Sequence, residues 1–250
     1  MGSCFRDLHK PTTNNLSPLK STYQQGGLMS GVKLLISGLP NVGKSTLIKD
    51  LDPETTLLIS RDGKKSPLKL PKKTIEDFVD ADDIIKQMIE AVSSYIAKFD
   101  RNPGTIVIDS ISKIFLDIEV KTLAKVKSFP YGVINTEISK VMDFLEQEIA
   151  PMCNLVMISH AQLNTETNQY DLVNAGGSWG KKGGAISEVE SAIFIELKGT
   201  KRVIHHKTHK MLSRSLIDSL PESQPIDEFN LQEYINLVSD EIDSSETFEL

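Results

Sequence analysis

Nine consecutive residues, Gly38-Leu39-Pro40-Asn41-Val42-Gly43-Lys44-Ser45-Thr46, fit the pattern G-x-x-x-x-G-K-[ST]. An apolar run, Lys33-Leu34-Leu35-Ile36-Ser37, enters this stretch, and a helical segment from Ser45 to Leu51 leaves it. Strand, glycine loop and helix in that order commit this part of the chain to an α/β unit. Gly38 and Gly43 let the backbone curl until successive N–H groups point inward at phosphate oxygens. The helix start adds partial positive charge. Lys44 is placed to reach β- and γ-phosphates, and the Ser45 hydroxyl to take a position on Mg²⁺. The pattern therefore predicts a Mg·ATP site built from residues 38–46. A chance glycine turn would not need every fixed position filled.

Composition narrows the class further. The chain has 250 residues, 39% hydrophobic and 25% charged, as soluble globular proteins do. No apolar run is long enough to span a bilayer and no signal-peptide pattern is visible, so a cytoplasmic location is expected. The start, Met1-Gly2-Ser3-Cys4, has Arg6 where myristoylation wants Ser or Thr. Cys4 and Cys153 form neither a metal spacing nor a disulfide framework, which suits a reducing compartment. A net charge of −6 argues against coating nucleic acid through bulk charge, while leaving room for a local basic groove.

Residues 1–29 are polar and aperiodic up to Gly26-Gly27 and read as a flexible extension. Residues 30–238 alternate strands and helices. Apolar runs at 56–60, 105–109 and 155–159 read as strands, and the apolar spacing over 82–99 and 137–149 as helices, the latter stopped by Pro151. Runs at 192–197 and 203–206 read as late antiparallel strands. The expected class is α/β, a mostly parallel central sheet with helices on both faces. The strand at 56–60 lies between the loop and Asp109 in sequence, and a strand is expected to lie between them in space as well. Residues 239–250, with Asp240, Glu241, Asp243, Glu246 and Glu249, read as an acidic tail.

Several residues carry candidate chemistry. Asp109 ends a buried strand, where a carboxylate can hold Mg²⁺ opposite Ser45. Asp62 follows the strand at 56–60, either as the base that polarises an attacking water or as a turn aspartate before Gly63. His160 and Gln162 follow the strand at 155–159, where one of them can touch the γ-phosphate and report its loss. The stretch 176–184 holds five glycines, Trp179, Lys181 and Lys182. Trp179 can stack on an unpaired base while the two lysines meet phosphates, or a lysine can reach a neighbouring subunit's ATP. A plain surface loop is the alternative. From Leu197 to Ile217 there are six Lys or Arg and no acid. These read as a face towards nucleic acid or a neighbouring ATP, or as a solvated edge hairpin. Three histidines in the same segment, His205, His206 and His209, lack the partners of a zinc site.

The phosphate loop, I-S-R-D-G-K at 59–64, I-V-I-D-S-I-S-K-I-F at 106–115, M-I-S-H-A-Q at 157–162, the glycine-rich 176–184 and D-S-L-P-E at 218–222 together resemble the RecA-like ATPases. The resemblance is strongest to the short phage recombination ATPases linked to single-strand annealing. It implies a RecA-like P-loop core that hydrolyses ATP with Mg²⁺, assembles side by side as a ring or filament, and handles single-stranded DNA, in some settings with a single-strand-binding protein. It also implies catalytic roles for Lys44, Asp62 and Asp109 and a sensor role for His160 or Gln162. In the larger recombinases a Glu stands where this chain has Asp62, and fast hydrolysis is correspondingly in question.

Other classes fit less well. A P-loop small-molecule kinase needs an arginine-bearing lid, and the concentrated basic residues come only after the sheet. A GTPase needs an N-K-x-D motif, which the sequence lacks. A non-hydrolysing nucleotide switch stays open because of Asp62. Candidate DNA contacts are the lysine-rich 63–73, the stretch 117–135 with Lys121, Lys125, Lys127 and Tyr131, and residues 163–186.

Overall fold

The computed structural model describes residues 31–62, 68–173, 184–211 and 213–246. The N-terminal extension and the predicted DNA contacts Trp179, Lys181 and Lys182 lie outside the described residues. Five strands run parallel: β1 (Lys33–Gly38), β2 (Thr56–Ser60), β4 (Thr105–Asp109), β5 (Asn154–Asn164) and β7 (Ser191–Lys198), with a short parallel β3 (Lys72–Thr74) on β2. Two late strands, β8 (Lys201–His205) and β9 (Ser223–Pro225), continue the sheet antiparallel, and β6 (Gln169–Leu172) folds back on the far end of β5. The order is β3-β2-β4-β5-β1-β7-β8-β9. The inner strands are apolar on both sides, as a sheet covered on two faces requires. The protein has the expected α/β class.

This order bears out the expectation of an intervening strand and identifies it. The strand between the phosphate loop and Asp109 is β5, not the strand at 56–60, which lies outside β4. Sequence order does not say which strand intervenes, because a right-handed crossover can place the next strand on either side of the first.

Pleating divides the interior into two cores. One face buries Leu35, Ile106, Ile108, Leu155 and Met157 beneath α2 (Ala81–Phe99), α3 (Ile111–Lys125) and α4 (Pro130–Phe144), the last continued by a π turn at Leu145–Ile149. The other buries Leu34, Ile36, Leu58, Val107 and Ile158 beneath α1 (Lys44–Leu47, extended by a 3-10 turn at Ile48–Asp50) and α5 (Leu231–Glu246). Local signals set the helix ends. Asp80 accepts the Asp83 N–H at 3.0 Å to start α2, and Ser110 accepts the Lys113 N–H at 3.3 Å to start α3. Pro130 occupies the first turn of α4, where its missing N–H costs nothing.

Three differences from the sequence reading matter. Residues 117–135, read as a DNA-contact stretch, form the end of α3 and the start of α4. Within it, Lys121 bonds Asp77 and Lys125 bonds the Val79 carbonyl. The start of α4 escaped notice because Tyr131 and Val133 are part-exposed and blur the apolar period. Finally, α5 runs through Asp240, Glu241, Asp243 and Glu246, so these acids ride on a helix.

One buried residue stands out in the second core. His206 is fully buried against Phe229 and Tyr234, at ring separations of 5.9 and 5.4 Å, and neither ring nitrogen has a hydrogen-bond partner among the described residues. Burial, with the charge of His205 beside it, pushes its pKa down from 6.5 to about 4. The unfolded chain therefore takes up a proton that the folded chain refuses. Stability is full well above pH 6.5 and falls as the pH drops towards 4, by on the order of 2 kcal/mol. His206→Phe, which keeps the aromatic packing, should flatten this acid limb. Melting temperatures of both proteins at pH 7.5 and 5 check it; equal losses in the two would assign the acid lability elsewhere.

Candidate nucleotide site

β1 ends at Gly38, and the loop that follows is wedged against β7. A Cβ at Gly38 would lie 2.6 Å from the Ile195 carbonyl oxygen and 2.9 Å from Val42 Cγ2, closer than any side chain can sit. Asn41 and Gly43 adopt left-handed backbone, with φ of 65° and 101°. Asn tolerates that region better than most residues and glycine is at ease there. These turns raise Gly43, Lys44, Ser45 and Thr46 around the floor of a cavity of about 340 Å³, within the range of small-molecule sites. Pro40 and Asn41 form its lip. Val42 is buried beneath as part of the second core, and Leu39 packs at its edge. Lys44 is itself buried and donates to the Gly38 and Leu39 carbonyls at 2.8 and 2.7 Å, which holds its ammonium over the loop.

The pleat brings the remaining groups to the same cavity. Leu58, Val107 and Ile158 face the second core, so Ser60, Asp109 and His160, two residues further along, face the same way at the carboxyl edge of the sheet. Asp109 Oδ2 accepts from Ser45 Oγ at 3.1 Å. Asp62 follows β2 and lines the cavity. Its neighbour Arg61 is strapped down: the Arg61 N–H reaches the Asp109 carbonyl at 2.8 Å, and its guanidinium donates to Asp117 Oδ2 at 2.7 Å and to the Ile75 carbonyl at 3.0 Å. The His160 N–H donates to Ser112 Oγ at 3.1 Å, tying β5 to the start of α3.

Gln162 is not brought to the cavity. β5 continues past the sheet to pair with β6, and Gln162 lies exposed opposite Asp171. Of the two sensor candidates, His160 alone lines the site. Besides Leu58 and Ser60 of β2, two charged cavity residues, Lys72 and Arg202, were missed as site residues. Lys72 lies across from Leu58 in the β2–β3 pairing, and Arg202 starts the antiparallel β8, whose reversal carries it to the same edge. Both were visible only as members of basic stretches. Within the segment 197–217, Lys207 pairs with Asp218 and Lys210 with Glu196, so the stretch does not present one basic face. Among the described residues no cluster of three His, Cys, Asp or Glu is arranged for a metal ion.

Electrostatics favour a divalent cation beside Asp109. Burial, then the negative charge of Asp62, raise its pKa above the usual carboxylate range, against the Ser45 hydrogen bond and the charges of Lys44 and Lys72. A carboxylate raised in this way gains from a positive neighbour. A hydroxyl and a carboxylate 3.1 Å apart are the hard oxygen donors Mg²⁺ takes. The residues present thus fit Mg²⁺, which Ser45 and Asp109 would hold.

Protonated Asp109 cannot serve that ion, so Mg²⁺-dependent nucleotide affinity should weaken as pH falls, starting above the ordinary aspartate range. Asp62→Asn removes one cause of the raised pKa and should move this acid limb to lower pH. Titrating nucleotide binding against pH in both proteins checks it; an unmoved limb would mean the two carboxylates do not communicate.

A family model described as an AAA domain, AAA_24, matches residues 30–214, most of the chain. Solved structures similar to this chain include the P4 protein of bacteriophage phi6 in complex with ADP, at 16% identity over 73% of this chain and 60% of that one, with a TM-score of 0.36. The P4 protein of bacteriophage phi13 is similar at 14% identity over 70% and 58%, with a TM-score of 0.35. The chain thus spans about three-fifths of the length of these proteins. No curated protein matches it. No helix among the described residues is long and apolar enough to cross a membrane. The chain belongs to the AAA_24 family of AAA domains and has a nucleotide-binding P-loop ATPase fold.

Proposed function

We propose that this protein hydrolyses Mg·ATP and uses that cycle to act on single-stranded DNA in phage-type recombination or annealing, as a homo-oligomer. The observation that carries the ATPase part is the convergence of Lys44, Ser45, Asp109 and Asp62 on one cavity. The loop amides and Lys44 hold the phosphates and meet the charge that grows on them as the terminal bond breaks. Mg²⁺, when bound, neutralises phosphate oxygens. Asp62, positioned by the Arg61 straps, orients the attacking water and accepts its proton. His160 sits where departure of the γ-phosphate alters its surroundings, and its backbone bond to Ser112 passes the change to α3. The DNA part rests on the motif resemblance and on Trp179, Lys181 and Lys182.

A second reading, a nucleotide switch without turnover, is favoured by one observation. Asp62 is a carbon shorter than the Glu of the larger recombinases it resembles, leaving a longer gap to the phosphate.

ATP turnover of the purified protein, with and without single-stranded DNA at two salt concentrations, separates these readings. A rate stimulated by DNA and suppressed by salt is expected. Nucleotide binding without turnover would favour the switch. Lys44→Ala should lower turnover by at least ~100-fold, the scale for removing one charged transition-state contact. Trp179→Ala should weaken DNA binding while sparing ATP affinity, and unchanged DNA affinity would remove the stacking role.

A further inference from the structure

Arg202, which lines the cavity, has no part in the proposed hydrolysis. The γ-phosphate end is fixed by Ser45, Asp109 and Asp62, on the side of β4 and β2. On the opposite side, over Gly43, stand Arg202 and Ile226. From the position a Cβ would take at Gly43, Arg202 Cδ and Nη1 are each 3.4 Å away and Ile226 Cδ1 is 3.5 Å away. The Arg202 stem and the end of the Ile226 side chain therefore lie side by side at the point where the loop becomes α1.

Both are held by the antiparallel end of the sheet. Arg202 pairs with Leu197 of β7, and β9, paired to β8 through Val203 and Pro225, delivers Ile226 in the 3-10 turn that follows. Ile226 packs on the second core, and its carbonyl accepts the Phe229 N–H at 3.3 Å. Arg202 is exposed, and its side chain has neither a hydrogen bond nor an ion pair with any described residue. A planar cation beside an aliphatic edge, wet on one face, is suited to the flat face of an aromatic ring.

We infer that Arg202 and Ile226 form the seat of the nucleotide's base, with the guanidinium stacked on the ring. The inference rests on the ATP-binding reading above and deepens it. A triphosphate whose γ end lies at Asp109 leaves the loop on the Gly43 side, where these two side chains stand. Neither offers a hydrogen-bond pattern that reads one base edge against another, so this contact contributes affinity for a nucleoside over bare phosphate.

Calorimetric titration with Mg²⁺ and either ADP or inorganic tripolyphosphate tests it, in wild type, Arg202→Lys and Ile226→Ala. Arg202→Lys keeps the charge and loses the plane, and the exposure of residue 202 makes loss of folding a poor explanation for any effect. ADP affinity should fall about 2- to 5-fold in each variant, the scale of an exposed cation–π contact, while tripolyphosphate affinity stays unchanged. Unchanged ADP affinity in Arg202→Lys would overturn the inference. Equal losses for ADP and tripolyphosphate would also overturn it, since they would make Arg202 a phosphate ligand. Wild-type protein that binds neither ligand would instead sink the ATP reading, and the base seat with it.

Discussion

The site depends on a close approach between two pieces of backbone. Where β1 ends, Gly38 passes so near the Ile195 carbonyl that no side chain fits between them. Because β1 is paired on both sides, to β5 and to β7, the loop cannot relieve crowding by shifting sideways. Its curl is thus set by the sheet and not by the ligand. The two carbonyls on which Lys44 rests belong to the same turn, so the position of that cation follows from the same contact.

A second regularity builds on the first. A pleated strand sends alternate side chains to one face, and parallel strands end at one edge. Ser60, Asp109 and His160 come from three strands far apart in sequence and reach one cavity for that reason alone. The reversal of β8 adds Arg202 from the opposite direction. The cavity consequently carries opposed charges: Asp62 and Asp109 on one side, Lys44, Lys72 and Arg202 around them. Such an arrangement attracts a polyphosphate with its metal more than either partner alone.

Much of this was legible in the sequence, and the exceptions have physical reasons. The phosphate loop is local: its glycines, its lysine and its flanking strand are contiguous, and six of its nine residues, Pro40, Asn41 and Gly43 to Thr46, line the cavity. Asp109 was legible because a carboxylate closing an apolar strand is conspicuous. The position of β2 was not, since strand order is decided by crossovers that leave no mark on the strands themselves. Arg202 and Lys72 were hidden among other basic residues, and only the direction and register of β8 and β3 single them out. Gln162 misled for a related reason: the strand that carries His160 to the edge does not stop there.

The straps around Arg61 have a mechanical meaning. Through Arg61, Ser110 and Ser112, the ends of β2, β4 and β5 are all fastened to the first turns of α3. The cradle on β1 meets them through the Ser45–Asp109 hydrogen bond and the pairing of Gly38 with His160, while α1 sits on the other face of the sheet. On the proposed cycle, a push that tilts α3 would therefore act first on Asp62, Asp109 and His160, and reach the grip on the nucleotide only through those two links.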